Sequence, residues 1–186
     1  MNHQLIIPSV LYTGEGSIAG SIKEVLAKEQ AKKVLVFTDK GIIGAGLLNL
    51  LLDALKEQGT AYEIFSDLRP EPSYEDVEKI RRQAENSEGD LIVAFGGGSV
   101  MDAAKLASVL VTDEYGVKEL LDEPGRAKKC VPIILVPTTA GTGSEVTAFS
   151  VITDHSRDYK LTVFSYEILP AYAILDAELL TTAPAS

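Results

Sequence analysis

A chain of 186 residues, 46% of them apolar and with a mean hydropathy of +0.12, suffices for one good-sized core and is too apolar to stay disordered. Its formal net charge of −10 repels phosphate backbones and anionic lipid surfaces, which excludes nucleic acid and membranes as expected partners but not a small anionic ligand held by local N–H groups. The single cysteine, Cys130, cannot form an internal disulfide and suits a reducing cytoplasm; the N-terminus lacks the basic and long apolar regions of a signal peptide, and no uncharged apolar run could span a bilayer.

Leu5 to Ile7 and Val10 to Tyr12 are predicted as short strands broken by Pro8. Gly14 and Gly16 make a turn, and Ser17 is expected to cap a helix running through Leu26. Lys33 to Thr38 is a buried strand ended by Asp39 and Gly41; Leu47 to Gln58 is a helix stopped by Gly59; Tyr62 to Phe65 is a short strand. A proline-rich turn, Leu68 to Ser73, leads into the capping box Ser73-x-x-Asp76 and a solvated helix from Asp76 to Asn86. Leu91 to Phe95 reads as a parallel strand buried on both faces. Three glycines follow it, Gly96 to Gly98, and then a helix opened by Ser99 with Val100, Ala103, Ala104 and Ala107 on one stripe. Beyond an acidic loop, Thr112 to Gly125, with a short helix around Lys118 to Leu121, comes the buried strand Val131 to Val136. Val146 to Thr153 and Lys160 to Phe164 alternate as a hairpin does, turning at Asp154 to Arg157, and Ala173 to Leu175 is a last strand before Asp176. Strands alternating with helices predict an α/β fold, a Rossmann-like three-layer sandwich with a mostly parallel sheet plus the hairpin. Residues 1–186 are expected to form one nucleotide-binding domain.

Ligands of such sheets bind beyond the carboxyl ends of the strands. Three strand ends carry permissive polar residues: Asp39, Gly96 to Ser99, and Thr138 to Ser144. A strand, a glycine turn and a helix start make an anion site of main-chain N–H groups. The usual dinucleotide fingerprint is absent, because Met101 stands where its third glycine should be and the best ribose-binding acid, Asp39, precedes the glycines. Asp39 is either a ribose acceptor, which favours NAD over NADP, or the N-cap of a turn at Lys40 to Ile43. Ser99-x-x-Asp102 and Thr142-x-x-Glu145 both fit capping boxes, and Asp102 braces the loop, contacts a nicotinamide-side group or touches phosphate. Lys105 reads as a solvated helix lysine, and Lys160 as a surface residue unless the hairpin folds back over a nucleotide. His3 and His155 lack metal-ligand spacing and are expected in solvent, and Cys130 has no base partner.

The blocks Gly96-Gly97-Gly98-Ser99-Val100-Met101-Asp102 and Pro137-Thr138-Thr139-Ala140-Gly141-Thr142-Gly143-Ser144-Glu145-Val146-Thr147 resemble those of the iron-dependent (group III) alcohol dehydrogenases. Pro8 with Gly14-x-Gly16, Thr38-Asp39-Lys40-Gly41, Lys160 and Leu169-Pro170 with Leu175-Asp176 support the likeness, which covers essentially the whole chain in order. Val100-Met101 departs slightly from a more usual proline-containing version, while a glycerol-dehydrogenase or dehydroquinate-synthase type fits the threonine block less well. The resemblance implies an NAD-binding domain followed by an all-helical domain, absent from this chain, that holds iron or zinc by one aspartate and three histidines. The aspartate belongs to a pattern expected just beyond Thr181-Thr182-Ala183-Pro184. By the same resemblance Asp39 binds the adenosine ribose, and Gly97, Gly98 and Ser99 bind the pyrophosphate, with Asp102 in their motif. Thr138, Thr139 and Thr142 line the adenine and phosphate side, Ser144, Thr147, Phe149 and Lys160 lie nearer the nicotinamide, and Asp176 is structural. The complete enzyme would pass hydride between NAD(H) and a small alcohol or aldehyde, this chain alone having no turnover. An uncovered apolar face predicts a homo-oligomer. The rival expectation is a non-catalytic module that binds nucleotide weakly or packs against a partner.

Overall fold

The computed structural model describes residues 6–111 and 115–181. Six strands form one sheet in the order β1-β8-β5-β4-β2-β3, every pair parallel: β1 (Val10–Thr13), β2 (Lys33–Phe37), β3 (Ala61–Phe65), β4 (Leu91–Gly96), β5 (Ile133–Pro137) and β8 (Tyr172–Leu175). β6 (Phe149–Asp154) and β7 (Tyr159–Phe164) pair antiparallel as a separate hairpin. Position in the sheet explains the sequence patterns. β4 and β5 are central, buried at every residue, and read as unbroken apolar runs; β1 and β3 are edges, and β1 alternates between half-buried and exposed.

Helices cover both faces. α1 (Ser17–Glu29) and α3 (Asn49–Glu57) pack Ile22, Val25, Leu51 and Leu55 against Val34, Val36, Val93 and Ile134. α4 (Tyr74–Glu85) and α5 (Gly98–Leu110) pack Val77, Ile80, Leu106 and Val109 against Leu35, Phe37, Ile92 and Leu135 on the other. The side chains that alternate along each strand thus feed two cores, giving the expected three layers. The hairpin lies against α5, adding Ile152 and Val163 to that helix's side. Two short helices, α2 (Lys40–Gly44) and α6 (Val117–Asp122), complete the set.

The helix starts differ in part from expectation. Ser17 does not cap α1: Gly16, at φ 68°, is the cap residue, and the Ser17 hydroxyl is buried without a partner. The cap comes from 160 residues away, where the Asp176 carboxylate accepts from the Gly16 and Ile18 N–H groups at 3.0 and 3.3 Å. This is a structural role for Asp176. The Ser73–Asp76 box forms as expected. α6 covers the expected short helix, its first amides accepted by Glu119 and, from α4, by Glu78. Glu78, on α4, is pushed upward by burial, but its bonds to Arg81, Arg82 and the Val117 N–H outweigh that and hold its carboxyl at about 2. Ile6 and Ile7 are not in a strand, the first strand among the described residues beginning at Val10, after Pro8; Leu5 and His3 fall outside the described residues. Among the described residues no helix is long and apolar enough to cross a membrane.

Candidate functional site

The direction of sheet growth reverses between β2 and β4: from β2 the chain adds β3 on one side, and β4 forms on the other. Such a switch point leaves a crevice outside the strand ends. A cleft of about 640 Å³ opens there, lined by Asp39 to Ile42, by Ser66 to Pro70, by Gly97 to Val100, and by Thr138 and Thr139. Its floor is the start of α5. Gly97 is the cap residue, and the N–H groups of Val100 and Met101 already turn to the Gly97 carbonyl. The N–H groups of Gly98 and Ser99 meet no acceptor among the described residues. Two unpaired donors at the positive end of a 13-residue helix attract an anion.

Asp39 is the N-cap of α2 and also stands at the cleft. Its Oδ1 accepts from the Ile42 N–H at 3.0 Å, capping α2, and its carboxylate lines the cleft. Opposite it, Thr138 is held by its N–H to the Gly96 carbonyl at 3.1 Å, which keeps the end of β5 beside the glycine turn. The approach at Gly98 is close: a Cβ there would stand 2.8 Å from Thr142 Cγ2, so the Thr142 side chain would have to shift.

A second, smaller cleft of about 270 Å³ continues from Gly98 and Ser99 beneath the hairpin. Asp102, Thr142, Ser144, Thr147, Phe149, Val151, Thr153, Lys160 and Glu71 line it. All twelve residues expected at the site therefore border one of two clefts that meet at Gly98 and Ser99. Neither of the two capping boxes forms. Ser99 Oγ instead accepts the Glu71 N–H at 3.3 Å, and Asp102 turns away from its own helix start. Its Oδ1 accepts the Ser144 hydroxyl at 2.6 Å and its Oδ2 the Val151 N–H at 2.9 Å. Thr142 Oγ1 accepts from the Ser144 N–H, with Gly143 at φ 64° turning the chain into a single 3-10 turn.

The solvated reading of Lys105 is wrong. The side chain is fully buried. Its Nζ donates to the Phe149 carbonyl at 2.8 Å and the Thr147 hydroxyl at 3.4 Å, with Asp102 Oδ1 at 3.8 Å. Burial pushes the Lys105 ammonium down to about 8 and the Asp102 carboxyl upward; at both ends desolvation outweighs their mutual attraction. The sequence did carry a signal: between Val100 and Leu110 only Asp102, Lys105 and Ser108 interrupt apolar residues, too few to make a solvated face.

Sequence reasoning also missed a strap, residues 66–72, that joins the two clefts. The Pro72 carbonyl accepts from the Thr153 N–H at 3.0 Å, and exposed His155 places Nε2 2.9 Å from the Glu71 carbonyl. Lys160 Nζ meets Glu71 Oε1 at 2.6 Å and the Thr153 hydroxyl at 3.1 Å. The hairpin is thus folded over the smaller cleft, with Lys160 on its wall. Cys130 gives its thiol to two backbone carbonyls and has no base beside it. A groove of about 720 Å³ between α4 and α6 is larger than either cleft, but Glu78, Arg81 and Arg82 there are bonded to one another.

An open α/β sheet with a crevice at its switch point and a glycine-capped helix on its floor defines a class of nucleotide-binding folds by architecture. The family model for iron-containing alcohol dehydrogenases matches residues 8–177, and the chain belongs to that family. It is 35% identical to long-chain-alcohol dehydrogenase 1 of Geobacillus thermodenitrificans over 97% of this chain and 46% of that protein. It is 34% identical to the NAD-dependent methanol dehydrogenase of Bacillus methanolicus over 89% of this chain and 44% of that one. The crystal structure of sulfoacetaldehyde reductase from Bifidobacterium kashiwanohense in complex with NAD+ is similar with a TM-score of 0.89 at 30% identity, over 99% of this chain and 48% of that one. The chain spans about half the length of the curated relatives it matches.

Proposed function

We propose that this chain is the NAD-binding domain of an alcohol dehydrogenase, and that it grips the dinucleotide along the two joined clefts. The observation that carries the reading is the pair of unaccepted N–H groups, Gly98 and Ser99, at the bottom of a cleft walled by Asp39 and Thr138. Gly97, Gly98 and Ser99 hold the pyrophosphate, with the α5 dipole opposing its charge. Asp39 keeps one oxygen on its cap and offers the other to the adenosine ribose hydroxyls; a 2′-phosphate would be repelled, which favours NAD over NADP. Thr138, Thr139 and Thr142 flank the adenine and phosphates. The smaller cleft, with Ser144, Thr147, Phe149 and Lys160 on its walls and Asp102 bracing it, takes the nicotinamide half. NAD supplies a hydride acceptor, and the domain's contribution is to bind and orient it.

Hydride exchange with a small alcohol or aldehyde belongs to the complete protein. Among the described residues no group of three His, Cys, Asp or Glu lies close enough to hold a metal ion. The complete enzyme would hold iron or zinc, and its place would be the cytoplasm. Isothermal calorimetry with NAD tests the reading. Wild type should bind, and Asp39→Ala should bind about tenfold more weakly, as for a lost hydrogen bond to a charged acceptor. Absence of heat with wild type at low salt leaves a packing module as the better account.

A further inference from the structure

Two successive turns of α5 are tied to the wall of the smaller cleft. From the first, Asp102 holds Ser144 and Val151 by its carboxylate, and its carbonyl accepts the Ser150 hydroxyl at 2.9 Å. From the second, Lys105 holds Phe149 and Thr147. The same helix supplies, one turn earlier, the Gly98 and Ser99 amides on the floor of the larger cleft. One rigid element therefore sets the distance between the two halves of the site. Lys105 touches neither cleft, being absent from the linings of both and wholly buried. A buried ammonium is costly to desolvate, and a methionine would fill the same space without that cost.

We propose that Lys105 is a positioning residue: its ammonium fixes the Thr147–Phe149 wall at the height above the α5 N-terminus that suits the nicotinamide half of a dinucleotide. This rests on the NAD reading above. Without the ammonium, the Phe149 carbonyl loses its anchor and the wall drifts, while the α5 amides, Asp39 and Thr138 stay where they are. Lys105 thereby governs affinity for the far half of the ligand and leaves the adenosine diphosphate half alone.

The test compares NAD with ADP, which lacks the nicotinamide riboside, by calorimetry on wild type and Lys105→Met. The expected result is roughly tenfold weaker NAD binding with ADP affinity unchanged, so that the advantage of NAD over ADP collapses. Unchanged ADP binding also certifies that the variant is folded, and a general loss of structure would not spare it. Equal weakening of both ligands, or of neither, overturns the inference while leaving the NAD reading in place. Wild type that binds neither ligand overturns the NAD reading and the inference with it. Should Lys105→Met show no cooperative melt, Lys105→Leu, which likewise lacks a donor, is put through the same comparison; if that also fails to fold, Lys105 is a determinant of the fold and the inference falls.

Discussion

The two clefts meet at Gly98 and Ser99 but are made of different material. The larger is built mainly from backbone: helix-start amides, glycines and the ends of strands that are buried for other reasons. The smaller is built from side chains brought together over 42 to 49 positions of sequence, and its wall is held by a half-buried carboxylate and a buried ammonium. Backbone sites tolerate substitution around them because the groups that bind come with the fold itself. A site hung on buried charges depends on single residues, because removing one partner strands the other.

The largest effect should therefore come from the smaller cleft. Asp102→Ala leaves the Lys105 ammonium without its carboxylate and frees Ser144 and Val151, and should lower unfolding stability by about 3 kcal/mol in urea titration. A loss below ~1 kcal/mol would show the two clefts to be alike in this respect. Next comes pH. Lys105 releases its proton at about 8 when folded and at 10.5 when unfolded, so the unfolded chain holds more protons between those values and stability rises with pH across them. Measured against Lys105→Met, wild type should gain ~2–3 kcal/mol from pH 8 to 10.5. Tyr12 and Tyr172, both raised to about 12 by burial and nearby glutamates, act in the opposite sense above pH 10 but do so equally in both proteins. A flat difference would mean that the ammonium is better solvated than its surroundings imply. The smallest stability effect should fall in the larger cleft. Gly98→Ala gains up to ~1 kcal/mol of helix propensity and loses a similar amount to the contact with Thr142, leaving stability within ~0.5 kcal/mol. The added methyl nonetheless stands over the anion site, and NAD and ADP should both bind about tenfold more weakly by calorimetry. Weakening of NAD alone would contradict a shared backbone cradle.

The same contrast explains what could be read from the sequence. Buried central strands announce themselves as apolar runs, and Leu91 to Gly96 led directly to the glycine turn and the floor of the larger cleft. Asp39, Gly97 and Thr138 were legible because a parallel sheet must bring the strand ends to one edge. The smaller cleft was legible as a set of residues through family resemblance, but its wiring was not. Ser99 and Asp102 have the spacing of a capping box, and local spacing is silent about Ser144 and Val151, which take Asp102 instead. Lys105 was misread by weighing the lysine apart from the apolar helix around it. Glu71, with φ 51° in a proline-flanked strap, reaches Lys160 across 89 positions, and no periodicity reports such a pairing.

Asp176 has a consequence for the order in which the molecule assembles. α1 receives its cap from a residue 158 to 160 positions later, and β1 its neighbour in the sheet from Tyr172–Leu175. On a ribosome, the segment at Val10–Thr13 must wait through the synthesis of everything between it and Tyr172–Leu175 before it can dock. The start of α1 thus goes uncapped until Asp176 has been made, and truncation just before Asp176 should free it first.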